Sequence, residues 1–243
     1  MPPYAIIDNM RFHVISIFPE MVKNYCEESI LKRAKEKGLV EFYFYNLREY
    51  TLDKHKRVDD KPYGGGPGMV MNAEPILRCV ESIKDKFKPV TKTKTIIFAP
   101  DAPVWTNSEA KKYSKKYTDI ILICGRYEGI DKRVEKILKA TRVSVGDFVL
   151  TGGEVPAMIL IDTISRQIKG VLGDYNSLEE NRTDVMGTKI TKRVDEFYTR
   201  PEVLEWETKT KNGVKKAKKY TVPKVFLSGN PKLINEYRNG GLS

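Results

Sequence analysis

The chain has 243 residues, of which 40% are hydrophobic and 31% charged, so it can form one large or two small globular domains. The first residues lack a secretory signal, and no apolar run approaches the roughly 20 residues that cross a bilayer. The three widely spaced cysteines fit neither a disulfide framework nor a zinc site. We therefore expect a cytoplasmic protein without a membrane partner. The net charge of +11 favours nucleic acid as a partner, with general solubility from lysine as the alternative.

Apolar runs and helical spacing alternate along most of the chain. Strands are predicted at residues 11–18, 40–45, 95–99, 119–124 and 142–145. Helices are predicted at residues 20–37, 73–88, 107–116, 129–140 and 154–168, with Gly38 ending the first of them. This alternation is typical of an α/β domain with a mainly parallel sheet, which binds ligands at the carboxyl ends of its strands. We expect this domain to span residues 1–169.

The composition changes after residue 169. Residues 170–199 are polar, have no clear period and are predicted to form a linker or active-site loop. Residues 200–243 are predicted to form a small C-terminal domain. Within it, residues 208–224 hold seven lysines and no acidic residue. The Asn212-Gly213 pair at the centre of this stretch predicts a β-hairpin.

Three glycine-bearing turns lie close together between residues 123 and 157. Each follows a short apolar run, and they occupy residues 124–129 (CGRYEG), 145–147 (VGD) and 151–154 (TGGE). Glycine lets the backbone approach a ligand closely, so three such turns can converge on one small molecule. Neither G-x-G-x-x-G after a strand nor G-x-x-x-x-G-K-[ST] is present, which indicates a ligand pocket of another design.

Two further clusters contain chemically active side chains. Residues 53–69 (DKHKRVDDKPYGGGPGM) combine dense charge with a glycine-rich run that cannot form a regular element. A flexible surface loop is the alternative interpretation of this stretch. The second cluster is the predicted helix that ends near Arg166, which is a candidate for binding an anion or for simply stabilising the helix dipole.

Five motifs occur together and in order in the chain. They are 18–21 (FPEM), 53–69, 124–131 (CGRYEGID), 146–154 (GDFVLTGGE) and 198–202 (YTRPE). In these motifs the chain closely resembles the bacterial tRNA (guanine-37-N1)-methyltransferases. The resemblance covers about residues 10–206 and resumes weakly after residue 222.

The resemblance implies a SPOUT fold, an α/β sheet whose C-terminal part threads a trefoil knot. It also implies a homodimer with shared active sites, a tRNA substrate and S-adenosylmethionine bound in the knot loops. Magnesium has been associated with the family, although no carboxylate cluster in this sequence indicates a metal site. The residues that match the cofactor site of the family are Pro100, Gly125, Tyr127, Glu128, Val145, Gly146, Asp147, Phe148, Val149, Leu150, Gly152 and Gly153.

The resemblance also supplies candidate catalytic residues. Methyl transfer to N1 of guanine needs a base near N1 and a cation near O6, and Arg166 matches the arginine of the family. Asn181 stands where the family has an aspartate, and an amide is not a general base near neutral pH. Three interpretations remain open: Asp184 supplies the carboxylate, the enzyme is slow, or the chain binds RNA without efficient turnover.

Several residues are candidates for contacting RNA. His55 and Asp59 lie in the loop that resembles one closing over the target base. We expect the C-terminal domain to be shorter than in the family and the lysine hairpin to contact phosphates, with a solvated surface ribbon as the alternative. The lysines concerned are Lys215, Lys216, Lys218 and Lys219. The predicted function is methylation of guanine 37 in tRNA, the alternatives being a SPOUT methyltransferase for another RNA base and an RNA-binding relative with little activity.

Overall fold

The computed structural model describes residues 9–86, 91–172, 197–209 and 215–238. The chain divides into two compact units, Met1–Leu178 and Glu179–Ser243. Most of the predicted linker lies outside the described residues, so its limits at 170 and 199 stay a prediction.

The first unit alternates strands and helices in the predicted order. Its strands are β1 (Met10–Ser16), β2 (Val40–Asn46), β3 (Asp59–Asp60), β4 (Val70–Met71), β5 (Thr93–Phe98), β6 (Asp119–Ile123) and β7 (Thr141–Val143). Its helices are α1 (Pro19–Cys26), α2 (Ser29–Glu36), α3 (Ala73–Lys84), α4 (Asn107–Lys116), α5 (Lys132–Leu138) and α6 (Glu154–Ser165), with a 3-10 turn at Leu47–Glu49.

Five of these described strands form a sheet in the order β2-β1-β6-β5-β7, in which every adjacent pair is parallel. The short strands β3 and β4 pair separately in antiparallel register. The five parallel strands are those that the sequence predicts, so the prediction of a mainly parallel sheet is confirmed. Because all five strands run in one direction, the loops that follow β5, β6 and β7 lie at the same edge. The glycine turns follow two of these strands.

Helices cover the two faces of the sheet. Side chains alternate along β6, so that Ile120 and Leu122 pack in one core with residues of α1, α4 and α6. Ile121 and Ile123 pack in a second core with residues of α3 and α5. A parallel sheet that is buried on both faces consists of apolar runs, which explains why its strands are visible in the sequence.

The prediction of a single helix over residues 20–37 is wrong, because the structure contains two helices there. Glu28 is extended and Ser29 has a φ of +50°, which interrupts the helix between Cys26 and Ser29. The buried residues Cys26 and Leu31 are five positions apart, whereas a continuous helix repeats its apolar positions every three or four residues. Gly38 has a φ of +68° and follows the second helix, as predicted for a helix end.

His13 and Asp119 form a buried polar cluster at the amino-terminal side of the sheet. Asp119 accepts hydrogen bonds from Arg11 Nε at 2.7 Å and Arg11 Nη2 at 2.6 Å, and its Oδ1 lies 3.0 Å from His13 Nε2. Burial by itself raises the pKa of Asp119, but hydrogen bonds from His13, Arg11 and Thr118 outweigh it and lower the pKa to about 2. His13 therefore belongs to the core, on the side of the sheet away from the glycine turns.

The cysteines also belong to the core. Cys26, Cys79 and Cys124 are all buried and free. Burial raises the pKa of Cys26 and of Cys79 to about 12, so both thiols stay protonated at neutral pH. None of the helices within the described ranges is long and apolar enough to cross a membrane.

The second unit contains the predicted hairpin. Strands β8 (Val203–Lys209) and β9 (Lys215–Thr221) pair in antiparallel register, and two short helices follow, α7 (Lys224–Leu227) and α8 (Pro231–Arg238). The Asn212-Gly213 turn itself lies outside the described residues. The Phe226 ring packs at centroid distances of 5.2 Å from Tyr198 and 5.4 Å from Tyr237.

Candidate active site

A cavity of about 440 Å³ opens at the carboxyl edge of the sheet. It lies between the loops that follow β5, β6 and β7, and the N-terminal end of α6 completes it. All three glycine turns contribute to its wall, so the structure brings together the turns that the sequence singles out. Its volume lies in the range of small-molecule sites.

Most of the predicted cofactor residues line this cavity. Of the twelve residues predicted to bind the cofactor, Gly146 and Asp147 are not among the described residues that line the cavity. The other ten line it: Pro100, Gly125, Tyr127, Glu128, Val145, Phe148, Val149, Leu150, Gly152 and Gly153. A Cβ atom on Gly146 would lie 2.2 Å from the Phe148 ring, so glycine there allows that ring to fold back. Asp147 is exposed to solvent.

Gly153 packs directly against the backbone of the first glycine turn. Its N–H donates to Gly125 O at 2.9 Å, and a Cβ atom on it would lie 2.6 Å from Cys124 Cα. Gly152 is similarly restricted, because its Cβ would lie 2.3 Å from Arg126 Nε. Tyr127, a non-glycine residue, has a φ of +59°, which is a strained conformation typical of functional loops.

A buried ionic network holds the glycine turns in place. Glu154, only 1% exposed, accepts from Ser16 Oγ at 2.6 Å and from Arg126 Nε at 2.9 Å. Arg126 also donates to Thr151 O at 3.3 Å, and its guanidinium lies 5.0 Å from the centroid of the Phe18 ring. Glu154 begins α6, where the helix dipole favours a negative charge. The network joins the end of β1 to two of the cavity loops.

Neither this network nor a pair of charged side chains at the rim of the cavity was predicted from the sequence. Asp101 and Arg142 form an ion pair beside the cavity and both line it. The Arg142 guanidinium lowers the pKa of Asp101, which keeps that carboxyl group ionised. Ser16 and Arg142 lie at or near the carboxyl ends of strands whose following loops border the cavity. A polar residue at such a strand end is the sequence signal that could have identified them.

The glycine-rich stretch after residue 62 is attached to the cavity wall. Glu128 N–H donates to Met69 O at 3.0 Å, and Met71 N–H donates to Gly129 O at 2.9 Å. A Cβ atom on Gly68 would lie 2.6 Å from the Glu128 carboxylate. The structure therefore joins two of the clusters that the sequence analysis identified.

Residues 53–59, which precede the glycine-rich stretch, do not line the described part of the cavity. His55 is exposed, and its N–H donates to Asp53 Oδ2 at 2.9 Å. Hydrogen bonds from Arg57 hold the pKa of Asp53 well below its usual range. Asp59 lines a separate, open groove together with Asp53 and Arg57. Neither His55 nor Asp59 is among the described residues that line the cavity.

Arg166, the predicted catalytic cation, is not among the described residues that line the cavity of its own chain. Arg166 is the C-cap of α6, whereas the cavity lies at the N-terminus of that helix. The helix has 12 residues and is therefore about 18 Å long, which is farther than an arginine side chain reaches. Asn181 and Asp184 lie outside the described residues.

The four predicted RNA-contacting lysines differ in their surroundings. Lys215 Nζ lies 3.2 Å from Glu207 Oε2, and Lys219 Nζ lies 2.7 Å from Glu205 Oε1. Lys218 Nζ lies 5.1 Å from the centroid of the Tyr220 ring. The side chain of Lys216 lies outside the described part of the structure. Within that part, no group of three histidine, cysteine or acidic side chains is placed to hold a metal ion.

The family model described as tRNA (Guanine-1)-methyltransferase TrmD matches residues 10–241 of the chain. A tRNA (guanine-N(1)-)-methyltransferase of Clostridioides difficile is 44% identical over 229 residues, covering 94% of this chain and 90% of the relative. That of Dictyoglomus turgidum is 43% identical, covering 94% and 83%. The crystal structure of tRNA (m1G37) methyltransferase from Aquifex aeolicus superposes with a TM-score of 0.71 at 34% identity, covering 94% of this chain and 87% of that one.

Proposed function

Because the chain belongs to the tRNA (guanine-1)-methyltransferase TrmD family, we propose that it transfers a methyl group from S-adenosylmethionine to N1 of guanine 37 in tRNA. The resemblance indicated by the five motifs is thereby confirmed, and the parallel sheet has the SPOUT fold. The observation that supports the proposal most strongly is the convergence of three glycine turns on one cavity. The trefoil knot and the cytoplasmic location remain part of the proposal.

The cavity suits S-adenosylmethionine in size and in lining. Gly152 and Gly153 keep the wall free of side chains where no space exists for a Cβ atom. Pro100, Val145 and Leu150 offer apolar surface for an adenine ring. The backbone amides and carbonyls of the glycine turns offer hydrogen-bond partners. When bound, S-adenosylmethionine supplies an electrophilic methyl group on a sulfonium centre.

The protein must activate guanine N1, which carries a proton and is a poor nucleophile until that proton leaves. We assign Arg166 to the guanine O6, where its guanidinium stabilises the negative charge that develops. We assign Asp184 as the base that takes the proton from N1, since the amide of Asn181 cannot do so near neutral pH. The assignment of Asp184 rests on the sequence alone.

The distance of Arg166 from the cavity favours a homodimer. Large apolar side chains near the cavity are exposed: Phe18 by 47%, Met21 by 45%, Phe148 by 54% and Val149 by 82%. Exposed apolar clusters of this kind mark protein–protein contacts. We therefore propose a two-fold symmetric dimer in which Arg166 of one chain acts at the cavity of the other.

Mass spectrometry of nucleosides tests the proposal. The chain is incubated with isotope-labelled S-adenosylmethionine and an unmodified tRNA transcript that carries guanine at position 37. Labelled 1-methylguanosine should form, and a transcript with adenine at position 37 should remain unlabelled. Label at another base would point instead to a SPOUT methyltransferase with a different target. Binding of tRNA without any label would identify an RNA-binding relative.

A further inference from the structure

The β8–β9 hairpin has two chemically different faces. Glu205 lies opposite Lys219 in the strand register, and these two residues form an ion pair. Glu207 and Lys215 form a second ion pair. Because side chains alternate along a strand, both pairs project from the same face of the hairpin. That face is close to electrically balanced.

The opposite face is apolar, aromatic and basic. Leu204 lies opposite Tyr220, and Trp206 lies opposite Lys218. Their exposures are 48% for Leu204, 61% for Trp206 and 46% for Tyr220, which are high values for side chains of this size. The ammonium group of Lys218 lies over the Tyr220 ring. We call these four residues the aromatic face.

We propose that the aromatic face binds an unpaired stretch of tRNA, with a nucleobase stacked on Trp206 and Lys218 beside a phosphate. This inference rests on the proposed function, which identifies the RNA as tRNA. Unpaired RNA is recognised through bases that stack on aromatic side chains, with nearby basic residues following the backbone.

The charge of the hairpin supports RNA as the occupant. Residues 203–221 contain six lysines and two glutamates, a net charge of +4. Among the described side chains of the hairpin, both glutamates project from the face with the ion pairs, so no carboxylate opposes a phosphate at the aromatic face. A protein partner is disfavoured because lysine is depleted at the centre of protein–protein interfaces.

The two faces also distinguish the four lysines of the hairpin. Lys215 and Lys219 already have carboxylate partners within 3.2 Å, and a phosphate would have to compete for them. Lys218 contacts an aromatic ring, so its charge can be directed to a phosphate without breaking an ion pair. The structure therefore assigns the phosphate contact to Lys218 ahead of Lys215 and Lys219.

Substitutions at Trp206 test the stacking contact. The dissociation constant of the full chain for a tRNA transcript with guanine 37 is measured by fluorescence anisotropy. Trp206→Ala should weaken binding about 5- to 150-fold, the range expected for losing one stacked base. Trp206→Phe keeps an aromatic ring and should stay within about threefold of the unmodified chain. Equal affinity for all three proteins would overturn the inference.

Adjacent lysines provide a matched pair for the phosphate contact. Lys218→Ala should reduce the slope of log K against log salt concentration by about 0.7 to 0.9. Lys219→Ala removes the same charge from the opposite face and in addition releases Glu205. If Lys218→Ala reduces the salt slope more than Lys219→Ala does, the difference therefore cannot arise from the change in net charge. An effect of Lys219→Ala as large as that of Lys218→Ala would contradict the assignment of the phosphate to the aromatic face.

Two further readouts separate this inference from the proposed methyl transfer. Trp206→Ala should raise KM for tRNA and leave kcat within about twofold, since no described residue of the hairpin lines the methyl-transfer cavity. If the unmodified chain binds tRNA through Trp206 but forms no 1-methylguanosine, the proposed function fails and this inference stands. If Trp206→Ala instead abolishes self-association and leaves tRNA affinity unchanged, the face contacts protein and the inference is wrong.

Discussion

A site shared between two chains predicts that two inactive variants restore each other. Arg166→Ala removes the cation that we assign to guanine O6. Gly153→Val disrupts the cavity wall, because even the first side-chain atom would lie 2.6 Å from Cys124 Cα. Each homodimer should be inactive. Since α6 separates Arg166 from its own cavity by about 18 Å, the heterodimer should contain one intact site.

The expected activity follows from this geometry. The Arg166→Ala chain offers an intact cavity, and the Gly153→Val chain offers an intact arginine to that cavity. The second site of the heterodimer combines the disrupted cavity with the missing arginine and should be inactive. A heterodimer should therefore show about half of the wild-type rate per dimer, as one of two symmetric sites works.

The assay uses co-expression with two different affinity tags and tandem purification, so that only heterodimers are measured. Methyl transfer to tRNA is followed with labelled S-adenosylmethionine. A heterodimer of Gly152→Val and Gly153→Val is the matched control, because both of its cavities are blocked and it should be inactive. If the Arg166→Ala/Gly153→Val heterodimer is no more active than its parents, the shared site is refuted. An Arg166→Ala homodimer with a rate within about threefold of wild type would refute the role of Arg166 itself.

Further predictions concern the base, the cavity wall and the buried charge cluster. Asp184→Ala should lower the single-turnover methylation rate at least about 100-fold, and a loss below about threefold would exclude it as the base. Gly153→Ala should destabilise the protein by about 1–3 kcal/mol in urea titrations, since its Cβ meets backbone. Gly125→Ala should cost less, because its Cβ meets only the Ile130 side chain at 3.3 Å. The lowered pKa of Asp119, about 2 in the folded protein, means that its stabilisation is complete above pH of about 4 and is lost as the pH falls through about 2. Asp119→Asn should therefore destabilise the protein by about 3 kcal/mol at neutral pH and weaken the acid dependence of stability. Asp101→Asn at an exposed ion pair should cost much less, because solvent screens that pair.

Much of the fold was predictable because its signals are local. The five parallel strands are buried on both faces and therefore occur as apolar runs that end at turns. Helix α4 was predicted with the limits that the structure has, Asn107–Lys116. The break before Ser29 was missed, since a change of φ at one residue leaves the composition of the segment unchanged.

The cavity could be predicted in part. Glycine turns that follow strands of a parallel sheet meet at one edge, so their convergence follows from strand direction. The network of Ser16, Arg126 and Glu154 could not be predicted from spacing, because Ser16 and Glu154 are 138 positions apart and meet only in the folded sheet.

The sequence alone determined the family, the order of strands and helices and the turns that form the cavity, because each of these depends on local composition and on motifs that can be read in order. Tertiary structure alone decided that Arg166 lies a helix length away from its own cavity, and that the lysines of the hairpin divide between an ion-paired face and an aromatic face. Both outcomes depend on direction: the helix axis in one case and the strand register in the other. Such directions emerge only when distant segments pack against each other.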